Sequence, residues 1–180
     1  MKRLFQQLKR FYILTQSPKK QTEMFWDALK KMNHELDWAA GIFEKDKSLI
    51  ASFKVADQEA REFYYILQDG FFICTSRIIY NYPIELATEV FILATHFNNI
   101  LKNGVVSLNV GDQHIDFTYK RDLLLPLLYP PEAHIQIMTH HETASDILTA
   151  FKRLIEEQEA PAIIIADLLG CLENKPSNDG

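Results

Sequence analysis

The sequence predicts a two-layer α+β domain: an antiparallel five-stranded sheet packed by helices, in the order α-β-β-β-α-β-β-α, behind an extra basic N-terminal helix. Three observations predict it. Residues 48–78 hold runs of β-branched and aromatic residues of strand length. Gln68-Asp69-Gly70-Phe71 places Asp-Gly between two of these runs, the strongest short hairpin signal, because a type I′ turn needs positive φ at both central positions. Residues 84–102 are apolar at helical spacing over a wide arc, as in a helix packed on a sheet and against something else. At 180 residues, 47% hydrophobic and 24% charged, the chain suits one domain with a real core and is unlike a disordered segment. It divides into a basic helix over 1–16, a single α+β domain over 17–174 and a frayed polar tail over 175–180.

The first helix has Leu4, Phe5, Leu8, Phe11 and Tyr12 on one stripe, with Lys2, Arg3, Lys9 and Arg10 largely off it. Its longest apolar run, Phe11 to Leu14, is too short for a signal peptide or a membrane span. Folding back onto the body is the expectation, and lying on an anionic membrane the less favoured alternative. Ser17 and Pro18 read as N-cap and first residue of a second helix reaching about Asn33. Residues 36–43 fit a short strand or a turn.

Leu49 to Val55, Glu62 to Gln68 and Phe71 to Ile78 then make a three-stranded meander, with Ala56 to Ala60 as its first loop. Pro83 opens the apolar helix, little of which is expected to face water, and Asn103-Gly104 closes it with a left-handed cap. A second hairpin pairs Val105–Val110 with Gln113–Arg121 through a type II′ turn at Gly111-Asp112. Within it Ile115, Phe117 and Tyr119 point one way and His114, Asp116, Thr118 and Lys120 the other. Residues 123–138, with three prolines, read as a crossing loop with a short strand near 134–138. Thr139 or Thr143 caps a helix reaching about Glu159, and Pro161 kinks it, starts a new helix, or precedes a strand over Ile163 to Ile165.

Charge narrows the function. The net charge of −5 conceals a basic arm, with 8 Lys and Arg against 2 acids in residues 1–33, and an acidic remainder with 11 against 22. Such a body is a poor ligand for nucleic acid. Cys74 and Cys171 form neither a metal-ligand spacing nor a disulfide framework, which points to the cytoplasm. His140-His141-Glu142, with His134 and His114 more distant, is the densest metal-like cluster. Adjacent helical residues diverge by about 100°, so a solvated helix start is the expectation and no metal is assigned. His96 is expected on the polar edge of its helix or satisfied by a neighbour. There is no nucleophile elbow, phosphate loop or dinucleotide fingerprint. Cys74 reads as a core thiol, Asp112 and Asp116 as solvated carboxylates. No catalytic residue and no cofactor are assigned.

The apolar helix ending near Asn98, Gly104, a strand, a tight polar turn and a strand ending in Tyr119-Lys120 before leucines resemble the YbjN-like family, candidate bacterial sensory transduction regulators. The similarity extends over residues 48–160 in layout. The resemblance implies a type III secretion chaperone-like fold and a cytoplasmic, non-enzymatic, often dimeric protein that binds another polypeptide. It implies no active site.

The residues themselves add a reason for binding. In the meander Phe63, Tyr65 and Leu67 alternate with Tyr64 and Ile66, and Phe72 and Cys74 with Phe71 and Ile73, so both faces are apolar. The second face needs a cover: the N-terminal helices, a second subunit or a client. Tyr64, Ile66, Phe72 and Phe11 are the expected partner-binding residues of a homodimeric chaperone-like or regulatory module. The alternative is a ligand-binding or enzymatic domain with a pocket between the central helix and the sheet.

Overall fold

A computed structural model describes residues 2–38, 40–56 and 59–173. Its elements are helices α1 (Lys2–Leu14) and α2 (Pro18–Glu35), strands β1 (Ala40–Phe43), β2 (Ser48–Lys54), β3 (Ala60–Gln68) and β4 (Phe71–Ile79), a 3-10 turn (Ile84–Leu86), helix α3 (Ala87–Ile100), strands β5 (Gly104–Asn109) and β6 (His114–Asp122), and helices α4 (Leu124–Leu128), α5 (Pro131–Ile155) and α6 (Pro161–Glu173). The expected tail at 175–180 lies outside the described residues, as does part of the β2–β3 loop.

The α+β class holds, with six strands in place of the expected five. All pair antiparallel in the order β1-β2-β3-β4-β6-β5. The added strand is β1, whose Gly41 and Ile42 pair with Ile50 and Leu49, so the strand reading of residues 36–43 wins over the turn. The β3–β4 turn is as expected, with φ of 52° at Asp69 and 81° at Gly70. A Cβ at Gly70 would meet nothing within 4 Å. Gly70→Ala is therefore expected to cost about 1 kcal/mol through backbone strain alone, measurable as a shift in urea midpoint with unchanged slope.

The β5–β6 turn is not type II′. Gly111 keeps negative φ, and the left-handed residue is Gln113 at 54°. The Asn109 side chain organises this four-residue loop, its Oδ1 accepting from the Asp112 N–H at 2.9 Å and its Nδ2 donating to the Asp112 carboxylate at 2.8 Å. Asn and Asp rival glycine as turn formers by such local bonds.

Gly104 has a different task from the expected cap. Helix α3 ends in an extended residue, Leu101, and Gly104 opens β5. There a Cβ would stand 2.5 Å from Cε2 of Phe117, so glycine is needed for close approach. Asn98 ties the helix end to the same strand, its amide donating to the Val106 carbonyl at 2.9 Å and its oxygen accepting from the Val106 N–H at 2.7 Å.

Residues 123–138 form no loop and no strand. Pro130 and Pro131 begin α5, which runs 25 residues with Thr139 and Thr143 inside it. Proline at the first helical position loses no hydrogen bond and brings its φ ready set, which is why a proline pair starts this helix. Pro161 likewise starts α6. Arg153 joins the two, with Nε and Nη2 on the Glu159 carboxylate at 2.6 and 2.9 Å and Nη2 also 2.7 Å from Asp167.

The core lies between one face of the sheet and the helices. Phe63, Tyr65, Phe72, Cys74, Ile115 and Phe117 meet Val90, Leu93 and Phe97 of α3, Ile147, Leu148 and Phe151 of α5, and Ile164 of α6. Helix α2 joins this same face, where Phe25 packs edge-on to Phe72 at 5.2 Å. Ser17 caps it as expected, accepting from the Lys20 N–H at 3.3 Å. Helix α3 is less enclosed than its sequence suggests, because Phe91 and Ile92 face outward.

Candidate docking face and pockets

The pleat of the sheet sorts its side chains, since a residue's odd or even position decides its face. On β3 the odd residues from Phe63 onward are buried and the even ones half-buried or exposed; on β4 the relation reverses as far as Arg77. No helix packs on the second face among the described residues. Register places Ile50, Tyr64, Thr75 and Thr118 in one row across it, and Ser48, Ile66, Ile73 and Lys120 in the next. Of the covers that the sequence leaves open, the N-terminal helices are not found on this face among the described residues, because α2 spends its aromatic residues on the opposite side.

Of the expected partner-binding residues, Tyr64 and Ile66 lie half-buried on the open face and Phe11 is exposed on α1. Phe72 does not belong with them. Its side chain is 0% exposed on the helix-covered side, against Phe25 and Tyr65. Its register partner Leu67 is buried too, so the same alternation that exposes Ile66 and Ile73 hides Phe72.

Polar groups frame the open face. Tyr64 donates its hydroxyl to Glu62 at 2.6 Å, and this carboxylate holds the phenol above its ordinary pKa. Thr75 and Thr118 bond to each other at 2.8 Å, and Arg77 Nε donates to Asp116 at 3.1 Å. Asp116 is thus ion-paired rather than simply solvated. Glu62, Tyr64, Thr75, Arg77, Tyr80 and Asp116 line a shallow depression of about 270 Å³. Lys120 lies 3.8 Å above the Phe71 ring, its charge covering part of an otherwise bare aromatic. The Glu62, Arg77 and Asp116 grouping leaves no signal in the sequence, because it exists only through the register across three strands.

Helix α1 does not fold its stripe back onto the body. Leu4, Leu8 and Phe11 are 62, 59 and 68% exposed. The helix is held by Ile13, which is buried and whose carbonyl accepts from Gln21 at 3.1 Å, and by Arg10 stacked 4.1 Å from the Tyr129 ring. No helix of the described residues is long and apolar enough to cross a membrane.

The histidines come apart rather than together. His140 is fully buried in the middle of α5, not at a solvated helix start. Its Nε2 donates to the Phe117 carbonyl at 3.2 Å and its ring stacks on Phe117 at 5.0 Å, while Nδ1 has no partner. Burial pushes its pKa down to about 4. His141 Nε2 reaches the Lys54 carbonyl at 2.9 Å instead. His96, expected on the polar edge of its helix or satisfied by a neighbour, is half-buried, and its Nε2 is enclosed without a partner. Among the described residues no three His, Cys, Asp or Glu side chains come close enough to hold a metal. Cys74 is the core thiol expected, its pKa raised by burial.

Two further cavities lie on the helix side. One of about 500 Å³ runs between α2 and α4, walled by Leu29, Met32, Leu127 and Pro131. The other, about 260 Å³, opens between α5 and the β5–β6 edge, where the loop after α3 closes it. Gln136 lines it, only 2% exposed, with neither amide atom hydrogen-bonded. A buried unpaired polar atom costs about 1–3 kcal/mol, so this amide is an expensive occupant of the cavity wall.

No protein-family model matches the sequence, and no curated protein matches it either. Its coordinates are nevertheless similar to the crystal structure of YbjN, a candidate transcription regulator from E. coli. The TM-score is 0.51 at 12% identity, over 72% of this chain and 93% of that one, so the chain has a YbjN-like fold.

Proposed function

We propose that the protein is a non-enzymatic, regulatory or chaperone-like binding module that works in the cytoplasm as a homodimer, two copies meeting through the open face of the sheet. The observation that carries this reading is the half-buried apolar patch of Ile50, Tyr64, Ile66, Phe71 and Ile73, over which no helix lies among the described residues. Covering such side chains on both copies contributes on the order of 5–10 kcal/mol gross before association costs, enough to favour a dimer. Glu62, Arg77 and Asp116 supply a polar rim of both signs, which sets orientation rather than affinity. The structural similarity to a candidate regulator supports a regulatory role.

Light scattering tests this directly. The wild-type chain is expected to run as a dimer. The pair Ile66→Asp and Ile73→Asp, adjacent in register and outside the core, should give a monomer with an unchanged circular dichroism spectrum. A wild type that stays monomeric at high concentration would sink the proposal.

The exposed stripe of α1 favours a second contact, with an anionic membrane surface, since the segment carries four basic residues and no acid. Binding to phosphatidylserine vesicles that weakens with salt and disappears when residues 2–14 are deleted is the expected result. Equal binding by the truncated chain would refute it.

A further inference from the structure

The cavity between α5 and the β5–β6 edge is built unlike the other hollows of the molecule. One wall is a polar stripe of α5, where Glu132, Gln136, Thr139 and Thr143 recur at helical spacing. The facing wall is the Phe117 ring and Tyr119, and Lys102 and Arg121 stand in its rim. Arg121 is held in place without a carboxylate. Its Nε donates to the Tyr119 hydroxyl at 3.0 Å, and its Nη2 reaches the Asn103 amide oxygen at 2.9 Å when that amide is turned to accept. Among the described residues neither Arg121 nor Lys102 has an acidic partner, so two cations face one acid, Glu132. A fixed guanidinium with an unused edge is a carboxylate receptor by its geometry.

Gln136 supplies the independent observation. It is buried in the cavity lining, and both its donor and its acceptor are unmet. Buried amides are ordinarily satisfied, and a leucine of the same size would serve packing better. An amide kept there without a protein partner fits a ligand that offers both an acceptor and a donor.

We infer that this cavity is a binding site for a small organic acid carrying a hydroxyl or amino group, its carboxylate on Arg121 and Lys102 and its second group on Gln136. The volume sets the size: about 260 Å³, at roughly 30 Å³ per water, holds roughly nine non-hydrogen atoms, the scale of an amino or hydroxy acid. The site is remote from the open sheet face, lying on the opposite, helix-covered side, and does not depend on the docking role proposed above. Gly104 adjoins it, and its missing Cβ lets the Phe117 ring form the wall.

Calorimetry and amide chemical shifts of the full chain, titrated with L-glutamate, L-malate and the uncharged succinamide, test the inference. At least one of the two acids is expected to bind and shift resonances of Gln136, Arg121 and Gly104, with succinamide inert. Gln136→Leu and Arg121→Leu should each weaken that binding by about tenfold or more, the gain of one charge-assisted or buried hydrogen bond. Gln136→Leu should also raise the melting temperature of the unliganded chain, since it removes two unpaired atoms; a purely structural glutamine would lower it. Binding of neither acid to the wild type, or equal binding by wild type and both variants, overturns the assignment.

Discussion

Acidification from pH 7 to pH 4 is expected to remove about 3 kcal/mol of folding stability through His140 alone. Burial lowers its folded-state pKa from 6.5 to about 4, a difference worth ~1.4 kcal/mol per unit. The sign follows from proton uptake. Between these values the unfolded chain binds a proton that the native ring refuses, so protons favour unfolding. The contribution is complete above pH 6.5, declines as pH falls below it, and is exhausted near pH 4. The cause is visible in the packing. The ring is stacked on Phe117 and edge-on to Phe63 at 5.5 Å, and its bond to the Phe117 carbonyl uses the one proton a neutral ring carries on Nε2. Urea denaturation across this pH range, on wild type and His140→Gln, measures the effect. The glutamine keeps an N–H donor and does not titrate, so its stability should fall less steeply with acid. Parallel curves for the two proteins would show that the ring titrates normally.

Gly104→Ala is expected to destabilise the domain by about 1–3 kcal/mol, the usual cost of overpacking a filled core. The added methyl would lie 2.5 and 2.8 Å from Cε2 and Cζ of Phe117, and the ring has nowhere to go. It is completely buried and pressed face-on by His140. Phe117→Leu in the same chain should recover part of the loss, because the clash needs the distal ring atoms. The double variant would then be more stable than the sum of the single effects, a coupling expected only between residues in contact. Equilibrium unfolding of the four proteins checks this, and additive effects would argue that β5 simply moves aside.

Local chemistry explains which features were readable in advance. The meander and its turn were legible because alternation and Asp69-Gly70 both act within a few residues. The Ser17-Pro18 helix start was legible for the same reason. Signals that admit two structures went astray. Pro130-Pro131 looked like a break and is a helix start, which hid the first two turns of α5 and with them Gln136 on its cavity face. Once that start is known, Glu132, Gln136, Thr139 and Thr143 form a visible polar stripe. Gly104 resembles a cap because glycine follows helices so often, while the reason for it, Phe117, lies on another strand. The open face was half legible. Its surplus of apolar residues could be counted from the sequence, but which side α2 covers is a long-range matter, settled where Phe25 meets Phe72.

Because every described helix packs on the same side of the sheet, the strands carry two texts in one sequence. Even positions on β2, β3 and, from Asp116 onward, β6, and odd positions on β4 as far as Arg77, can drift without disturbing the interior, while their neighbours cannot. Selection can therefore rewrite what this surface recognises, residue by residue, at little cost to folding. Two descendants of such a chain would keep the same scaffold while losing nearly all likeness in the letters that face outward.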